Sequence, residues 1–390
     1  MAQEGDLIPV NVDNSSQQNL SFIEKFKMTY VYPFSKKRFY NQWDNAPITL
    51  RCRLTNKCDE NCARCFECSG PKNPANNIPV EDVAFYGNAD NMHYLNTYMT
   101  GGEWSVIYDK EPHYLLKIFD KLDLSKSSNY IVQTNARWID GPNAKQILND
   151  LKKIQLKLGK NGKILKLDTS VDRYRSQKSI DGVIKLIRTI VLDPEFKNTK
   201  IRIASCALDA EMTNEKVLRP EFFEPYRIKL KFEKRSIYNL YFQVCYANDR
   251  RIVIHEELPT MRIGRAKENG IGYKIYYPQM QCEGLQNGYE YMELALREDG
   301  MIKWHNWYDW DIMVPYKDEN NQNKTLEQIK KELVDMAWKR AIKYNVKEML
   351  INFIPIYGQI RTIYRTNQMK KTFDENRKKF VFKVNRVNCL

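Results

Sequence analysis

The 390-residue chain has no stretch of about 18 apolar residues, so no membrane-spanning helix is expected. Its first residues, Met1-Ala2-Gln3-Glu4-Gly5-Asp6, lack a basic start followed by an apolar run, so no secretory signal is expected. No internal repeat or low-complexity tract is visible. Histidine is scarce at four residues, and His93, His113 and His255 show no metal-ligand spacing, so they read as structural. The nine cysteines form no regular framework. In a long chain without an export signal, that usage points to reduced thiols and a cytoplasmic protein.

The formal net charge is +14. A basic balance favours acidic partners such as RNA, an acidic peptide or an anionic cofactor, although a lysine-rich solvated surface is the plain reading. The length suits one large domain with an extension, or two domains. Residues 1–45 read as an N-terminal extension, polar and then aromatic. Strand and helix patterns then alternate. Ile48–Leu54, Tyr94–Met99, Tyr130–Gln133, Ile164–Asp168 and Lys200–Ala204 read as strands. Tyr114–Leu122, Asn143–Leu158 and Ile180–Leu192 read as helices. Repeated βα units imply a parallel sheet, read here as a partial TIM-like α/β barrel with functional groups at the C-terminal ends of its strands. Further on, Thr325-Leu326-Glu327-Gln328 fits a capping box, and the helix after it places Leu326, Ile329, Leu333, Met336 and Ala337 on one face.

The densest chemistry lies directly after the first strand. Cys58, Cys62 and Cys65 stand in a C-x3-C-x2-C pattern. Three thiolates so close together suit one four-iron cubane, with one iron left open for a substrate or cofactor. Zinc held by Cys58, Cys62, Cys65 and Cys68 is the competing reading, but zinc sites usually pair two separated Cys/His couples, and no second pair is present. After the second strand comes Thr100-Gly101-Gly102-Glu103. After the third comes Gln133-Thr134-Asn135-Ala136, and after the fourth Leu167-Asp168-Thr169-Ser170-Val171-Asp172, followed by Arg175. Taken singly, each polar residue here is also a common helix cap.

In this order and spacing the four motifs resemble the radical S-adenosylmethionine (SAM) superfamily over residues 47–255. The resemblance implies a partial (β/α)6 TIM-like barrel over residues 46–257. It also implies a [4Fe-4S] cluster on Cys58, Cys62 and Cys65, with SAM on the unique iron. Gly101, Gly102 and Glu103 would hold the SAM amino group. Ser170 and Asp172 would meet its ribose or carboxylate, and Arg175 its carboxylate. The family usually has an aromatic residue before the third cysteine, whereas this chain has Arg64 there and Phe66 on the other side. Adenine could stack on either. Ala136 stands where related enzymes often have glycine.

A weaker likeness covers residues 258–310. Pro259–Ala266 resembles the segment that joins such a barrel to a SPASM or twitch extension, and Cys282 sits where the first auxiliary-cluster cysteine would be. Glu298–His305 resembles the hairpin that ends in the next cysteine, with His305 in that cysteine's place. The expected α+β extension, residues 258–322, is therefore a degenerate one that has lost its auxiliary cluster. Trp304, Trp307, Tyr308 and Trp310 read as its packed core or as a substrate cleft. Residues 323–390 are expected to form a helical, basic C-terminal segment.

The likeness implies an enzyme that modifies a ribosomally made precursor peptide, supplied with electrons by a partner such as flavodoxin or ferredoxin. Missing auxiliary cysteines favour a redox-neutral reaction such as Cα epimerisation, with Cys282, Cys206 or Cys245 as hydrogen-atom donor and Cys282 preferred. Thioether or C–C cross-linking, RNA modification, and a non-enzymatic iron–sulfur sensor or scaffold are the other readings. On the peptide-modifying reading no nucleic acid or membrane partner is expected.

Overall fold

The computed structural model describes residues 48–65, 67–90, 92–172, 174–206, 217–237, 240–248, 250–257, 265–269, 292–304, 312–336 and 339. The chain divides into two compact units, Met1–Phe39 with Val334–Leu390, and Tyr40–Leu333. The second unit is described below.

Five strands and four helices alternate along its first part: β1 (Ile48–Arg53), α1 (Val80–Gly87), β2 (Tyr94–Thr100), α2 (Tyr114–Lys121), β3 (Tyr130–Gln133), α3 (Ala144–Lys160), β4 (Leu165–Ser170), α4 (Gln177–Leu192) and β5 (Thr199–Cys206). These strands pair in parallel in chain order. The sheet continues through β6 (Leu230–Ile237), β7 (Leu240–Ala247) and β8 (Arg250–Glu257), of which β8 returns parallel to β5 while β6 and β7 pair antiparallel outside it. A single helical turn, α5 (Arg265–Glu268), precedes β9 (Met292–Arg297), β10 (Met301–Trp304) and β11 (Met313–Pro315). β9 lies parallel to β1 on its free edge, and β10 and β11 follow antiparallel. The result is an open, mainly parallel eleven-stranded sheet in the order β11-β10-β9-β1-β2-β3-β4-β5-β8-β7-β6.

The predicted strands and helices stand where the periodicity put them, to within a few residues. Among the elements the sequence reading missed are α1, which follows the loop-like run Pro71–Pro79, and the strands β6 to β9. The segment expected as an extension, residues 258–322, is described only in part. Its described strands, β9 to β11, are hydrogen-bonded into the same sheet as the barrel strands, and the whole span Tyr40–Leu333 is one compact unit. The hairpin expected at 298–305 is present as β9–β10, turning through Gly300 at φ +82°. Trp304 is buried on it, whereas His305, Trp307, Tyr308 and Trp310 lie outside the described residues. The capping box is also present: Gln328 N donates to Thr325 Oγ1 at 3.2 Å, and Thr325 N donates to Gln328 Oε1 at 2.8 Å. Leu326, Ile329 and Leu333 behind it are buried.

The two faces of the sheet are made of different residues. On the helix side, β1 presents Ile48, Leu50 and Cys52, β4 Leu165 and Leu167, and β5 Ile201 and Ile203, all buried. They meet helix stripes at i, i+4, i+7 spacing such as Ile147, Leu151, Ile154 and Leu158 of α3. Each such side chain contributes about 1.5–3 kcal/mol by leaving water. The opposite face is polar. Arg51 bonds Glu293 Oε1 at 2.5 Å and Gln133 Oε1 at 3.0 Å, Thr100 Oγ1 donates to Gln133 Oε1 at 2.6 Å, and Arg202 pairs with Asp168. Parallel strands buried on both faces ordinarily run apolar throughout. A polar second face marks the side on which a polar ligand can be held.

Candidate active site

The loop after β1 folds back on itself. Lys57 bridges to Gly70, and Cys58 N donates to Gly70 O at 3.2 Å. Cys65 N then donates to Cys62 O at 3.2 Å, which bends the second and third cysteines into one turn. Cys58 is buried, and Cys62 and Cys65 are half-buried. Burial pushes the Cys62 thiol up to about 12 against the pull of Arg175, and raises Cys58 as well, with Glu103 adding to the effect. Arg265, from α5, staples the turn from outside: its N donates to Cys65 O at 3.0 Å, Nη1 to Cys62 O at 2.7 Å and Nη2 to Ser69 O at 2.6 Å.

The Gly-Gly-Glu segment at the end of β2 lies directly on this loop. Gly102 N donates to Thr55 O at 2.7 Å and Glu103 N to Lys57 O at 2.8 Å. Gly101 holds φ +129°, and a Cβ there would stand 2.5 Å from Thr55 O; one on Gly102 would stand 2.0 Å from Lys57 O. The glycines are therefore required by backbone-to-backbone contact with the cysteine loop, a role that the sequence reading, which assigns them to a ligand amino group, does not foresee. Glu103 is buried, at 1% exposure. Its Oε1 accepts from Thr134 Oγ1 at 3.0 Å and Ser105 N at 3.4 Å, and its Oε2 from Asn135 N at 2.7 Å. Burial, then the neighbouring Asp59, lifts its carboxyl to about 7 despite these donors.

The end of β3 adds Asn135, whose Nδ2 donates to Asp59 Oδ1 at 2.6 Å and approaches Cys58 Sγ at 3.8 Å. Ala136 follows at φ +63°, in the left-handed region that glycine adopts without strain and alanine does not.

The end of β4 carries Ser170, Asp172 and Arg175. Arg175 Nη1 donates to Glu60 Oε2 at 2.7 Å and to Cys62 Sγ at 3.5 Å, while Nη2 donates to Ser170 Oγ. Burial alone would lower the Arg175 value, but Cys62, Glu60 and Asp172 carry it upward. Burial likewise works against the Glu60 carboxylate, yet Arg175 and the Ser176 N–H, donating to Oε1 at 2.8 Å, hold it at about 2. Asp172 is 1% exposed, and both its oxygens are occupied: Oδ2 accepts from Arg64 Nε at 2.9 Å and Nη2 at 2.6 Å, and Oδ1 from Tyr174 N at 2.8 Å.

Cys58, Cys62, Cys65, Glu103, Ser170, Asp172 and Arg175 thus stand on one connected network at the C-terminal ends of β1, β2 and β4. Phe66 and Cys282 lie outside the described residues, as do the side chains of Cys206 and Cys245. Cys52 is a core residue on the helix face. His113 anchors a structural knot, with Nδ1 at 2.9 Å from Asp150 Oδ1 and Tyr108 OH donating to Asp150 Oδ2 at 3.0 Å. Sequence reasoning missed Asp59, Glu60 and Arg265, and took Arg64 as a stacking candidate where it is an ion-pair partner. The signal available was the interleaving of charged residues among the cysteines, with complementary charges at Asp172 and Arg175.

The three cysteines lie on one loop, Cys62 and Cys65 in a single turn and Cys58 four residues before Cys62, with N–H donors from Asn135 and Arg175 directed at the sulfurs of Cys58 and Cys62; the chemistry of this donor set suits a cubane. Among the described residues no three His, Cys, Asp or Glu side chains are gathered around a single-metal position.

No family model and no curated relative matches the chain. Solved structures similar to it include Streptococcus suis SuiB bound to S-adenosylmethionine, at 14% identity and TM-score 0.34, covering 77% of this chain and 68% of that one. Native anSMEcpe with bound AdoMet and the Cp18Cys peptide is similar at 14% identity and TM-score 0.37, covering 74% and 80%. A histidine-tagged form of anSMEcpe with bound AdoMet gives 16% identity and TM-score 0.37, covering 74% and 79%. At these identities and scores the likeness does not bear on chemistry.

Proposed function

We propose that the chain is a radical SAM enzyme that acts on a peptide. The observation that carries this reading is the gathering of Glu103, Ser170 and Arg175, from the ends of two separate strands, onto the loop of Cys58, Cys62 and Cys65. A [4Fe-4S] cluster held by Cys58, Cys62 and Cys65, with SAM beside it, would supply radical chemistry for hydrogen-atom abstraction, given one electron from a reducing partner.

The chain's own residues would hold the ligand. Glu103 is a buried carboxylate balanced by neutral donors alone, so an ammonium group placed beside it would restore its ionised form. Arg175 offers a guanidinium fork at the edge of the cysteine turn, suited to a carboxylate. A carboxylate arriving there would compete with Glu60 for that fork. The polar face of the sheet, with Arg51, Gln133, Asp168 and Arg202, suits a substrate rich in hydrogen-bonding groups, as a peptide backbone is.

The peptide reading also rests on the position of Arg175 and on the Pro259–Ala266 segment, which lies largely outside the described residues. Cα epimerisation is the reaction we favour. A substrate radical would take a hydrogen atom from the Cys282 thiol, and the resulting thiyl radical would need one electron and one proton from the reducing partner, a flavodoxin or ferredoxin. Cross-linking or RNA modification would use the same SAM site, and a sensor would use none.

The test is 5′-deoxyadenosine formation by the anaerobically reconstituted chain with dithionite. Turnover is expected in the wild type and a strong loss of SAM affinity in Glu103→Ala and Arg175→Ala. An intact cluster that never cleaves SAM would favour the sensor. With a precursor peptide, one solvent deuterium in the product supports epimerisation through an exchangeable thiol, whereas a product lighter by two hydrogens means cross-linking or desaturation.

A further inference from the structure

The charged residues between the cysteines pair crosswise with the loop after β4. Glu60 meets Arg175 at 2.7 Å and Arg64 meets Asp172 at 2.6 Å, so the earlier residue of one loop pairs with the later residue of the other. Cys62 lies between the two ties. Both are well shielded, with side-chain exposures of 5% and 20% for the first pair and 1% and 10% for Asp172 and Arg64. Glu60 also receives the Ser176 N–H at the start of α4, so the tie reaches a helix end.

We propose that Glu60 and Arg64 are positioning residues: their crossed ion pairs clasp the cysteine turn to the loop after β4, fixing Cys62 and the Arg175 fork relative to each other. Asp172 then acts through Arg64 and does not contact the cofactor itself. This rests on reading the three cysteines as cluster ligands, which makes the held geometry useful for SAM. It goes beyond that reading because it gives the residues between the ligands a task of their own. Arg64 is turned from the usual stacking position of the superfamily into a structural tie. A buried pair is the right device for this purpose: its net stabilisation is small, but its geometry is specific, and breaking one partner leaves a charge stranded.

The experiment is a double-mutant cycle on the full chain with two readouts. Arg64→Gln strands the Asp172 carboxylate; Arg64→Gln with Asp172→Asn restores a neutral hydrogen-bonded pair. In iron-free protein, amide hydrogen exchange of residues 59–65 and 172–176 should quicken together, about tenfold or more, in Arg64→Gln and in Glu60→Ala, and return towards wild type in the double variant. In reconstituted protein, the SAM Kd should weaken about tenfold in Arg64→Gln and recover to within about threefold of wild type in the double variant. Arg64→Lys keeps the charge and serves if Arg64→Gln does not fold; it should retain most of the exchange protection. Additive losses in Kd, or an Asp172→Asn variant as damaging alone as the double variant, would mean that Asp172 contacts SAM directly and would overturn the proposal. Unchanged exchange in all variants would overturn it as well. A chain that takes up no iron would sink the cluster reading, while the exchange arm still decides whether the clasp exists.

Discussion

Two buried glutamates, one inside the cysteine loop and one at the end of β2, have opposite fates. Glu60, 6% exposed, sits against Arg175 and is held at about 2. Glu103, 1% exposed, has three hydrogen-bond donors but no cation among the causes that set it, and burial lifts it to about 7. Donor count does not separate them, because both accept from several groups. A full opposite charge does. The end of β4 has thus supplied its own counter-ion, and the end of β2 has not. On our reading the β2 side is where a ligand's ammonium group completes the site, while the β4 side must trade Glu60 for a ligand carboxylate.

The largest test of that contrast removes the cation. Arg175→Leu would strand Glu60 in a dry position, and breaking such a buried pair costs about 3–5 kcal/mol. Denaturant unfolding of the iron-free chain should show that loss. Removing Glu60 in the same chain should restore most of it. If Arg175→Leu changes stability by less than about 1 kcal/mol, Glu60 is solvated or repartnered and the contrast fails.

The pH dependence should have opposite signs at the two residues. Glu60 is depressed from its usual 4.5, so its stabilisation is complete above about pH 4.5 and is lost as pH falls towards 2. Glu103 is raised from 4.5, so its favourable protonated state holds fully below about pH 4.5, and stability is lost as pH rises through 7. Each shift corresponds to about 3 kcal/mol. Unfolding of the iron-free chain between pH 5 and 8 should therefore show a downward component that is absent in Glu103→Gln. SAM should also bind more tightly as pH rises through 7, because its ammonium group favours ionised Glu103. A stability curve with the same slope in both chains would place Glu103 in a more polar setting than the structure gives it.

The smallest expected effect lies between the two acids, at the end of β3. Ala136 holds φ +63°, where an L-residue is strained by about 1–2 kcal/mol. Ala136→Gly should raise the stability of the iron-free chain by about 1 kcal/mol, read as a shift in the denaturant midpoint. A destabilised variant would show that the packing of this fully buried methyl group outweighs the backbone relief.

Much of this was legible in the sequence. Period-two strands and period-3.6 helices located β1 to β5 and α2 to α4, because one face of each must be apolar. The Cys58, Cys62, Cys65 spacing and the Gly101-Gly102-Glu103 and Asp172–Arg175 segments marked three strand ends that the fold brings together. The partners were not legible. Glu60 and Arg175 are 115 residues apart and meet only because β1 and β4 end on the same side of the sheet. The role of Gly101 and Gly102 was hidden for the same reason: the backbone they must clear belongs to Thr55 and Lys57. β9 escaped notice beside β1 because its pairing spans more than 240 residues and nothing local announces it.

The central claim is that Cys58, Cys62 and Cys65 hold one cubane at the foot of this network. Iron and sulfide analysis after anaerobic reconstitution tests it most directly. The account predicts roughly four irons per chain in the wild type and almost none when all three cysteines are changed to alanine. About eight irons in the wild type would mean a second cluster. A triple variant that still carries a full cluster would contradict the assignment outright.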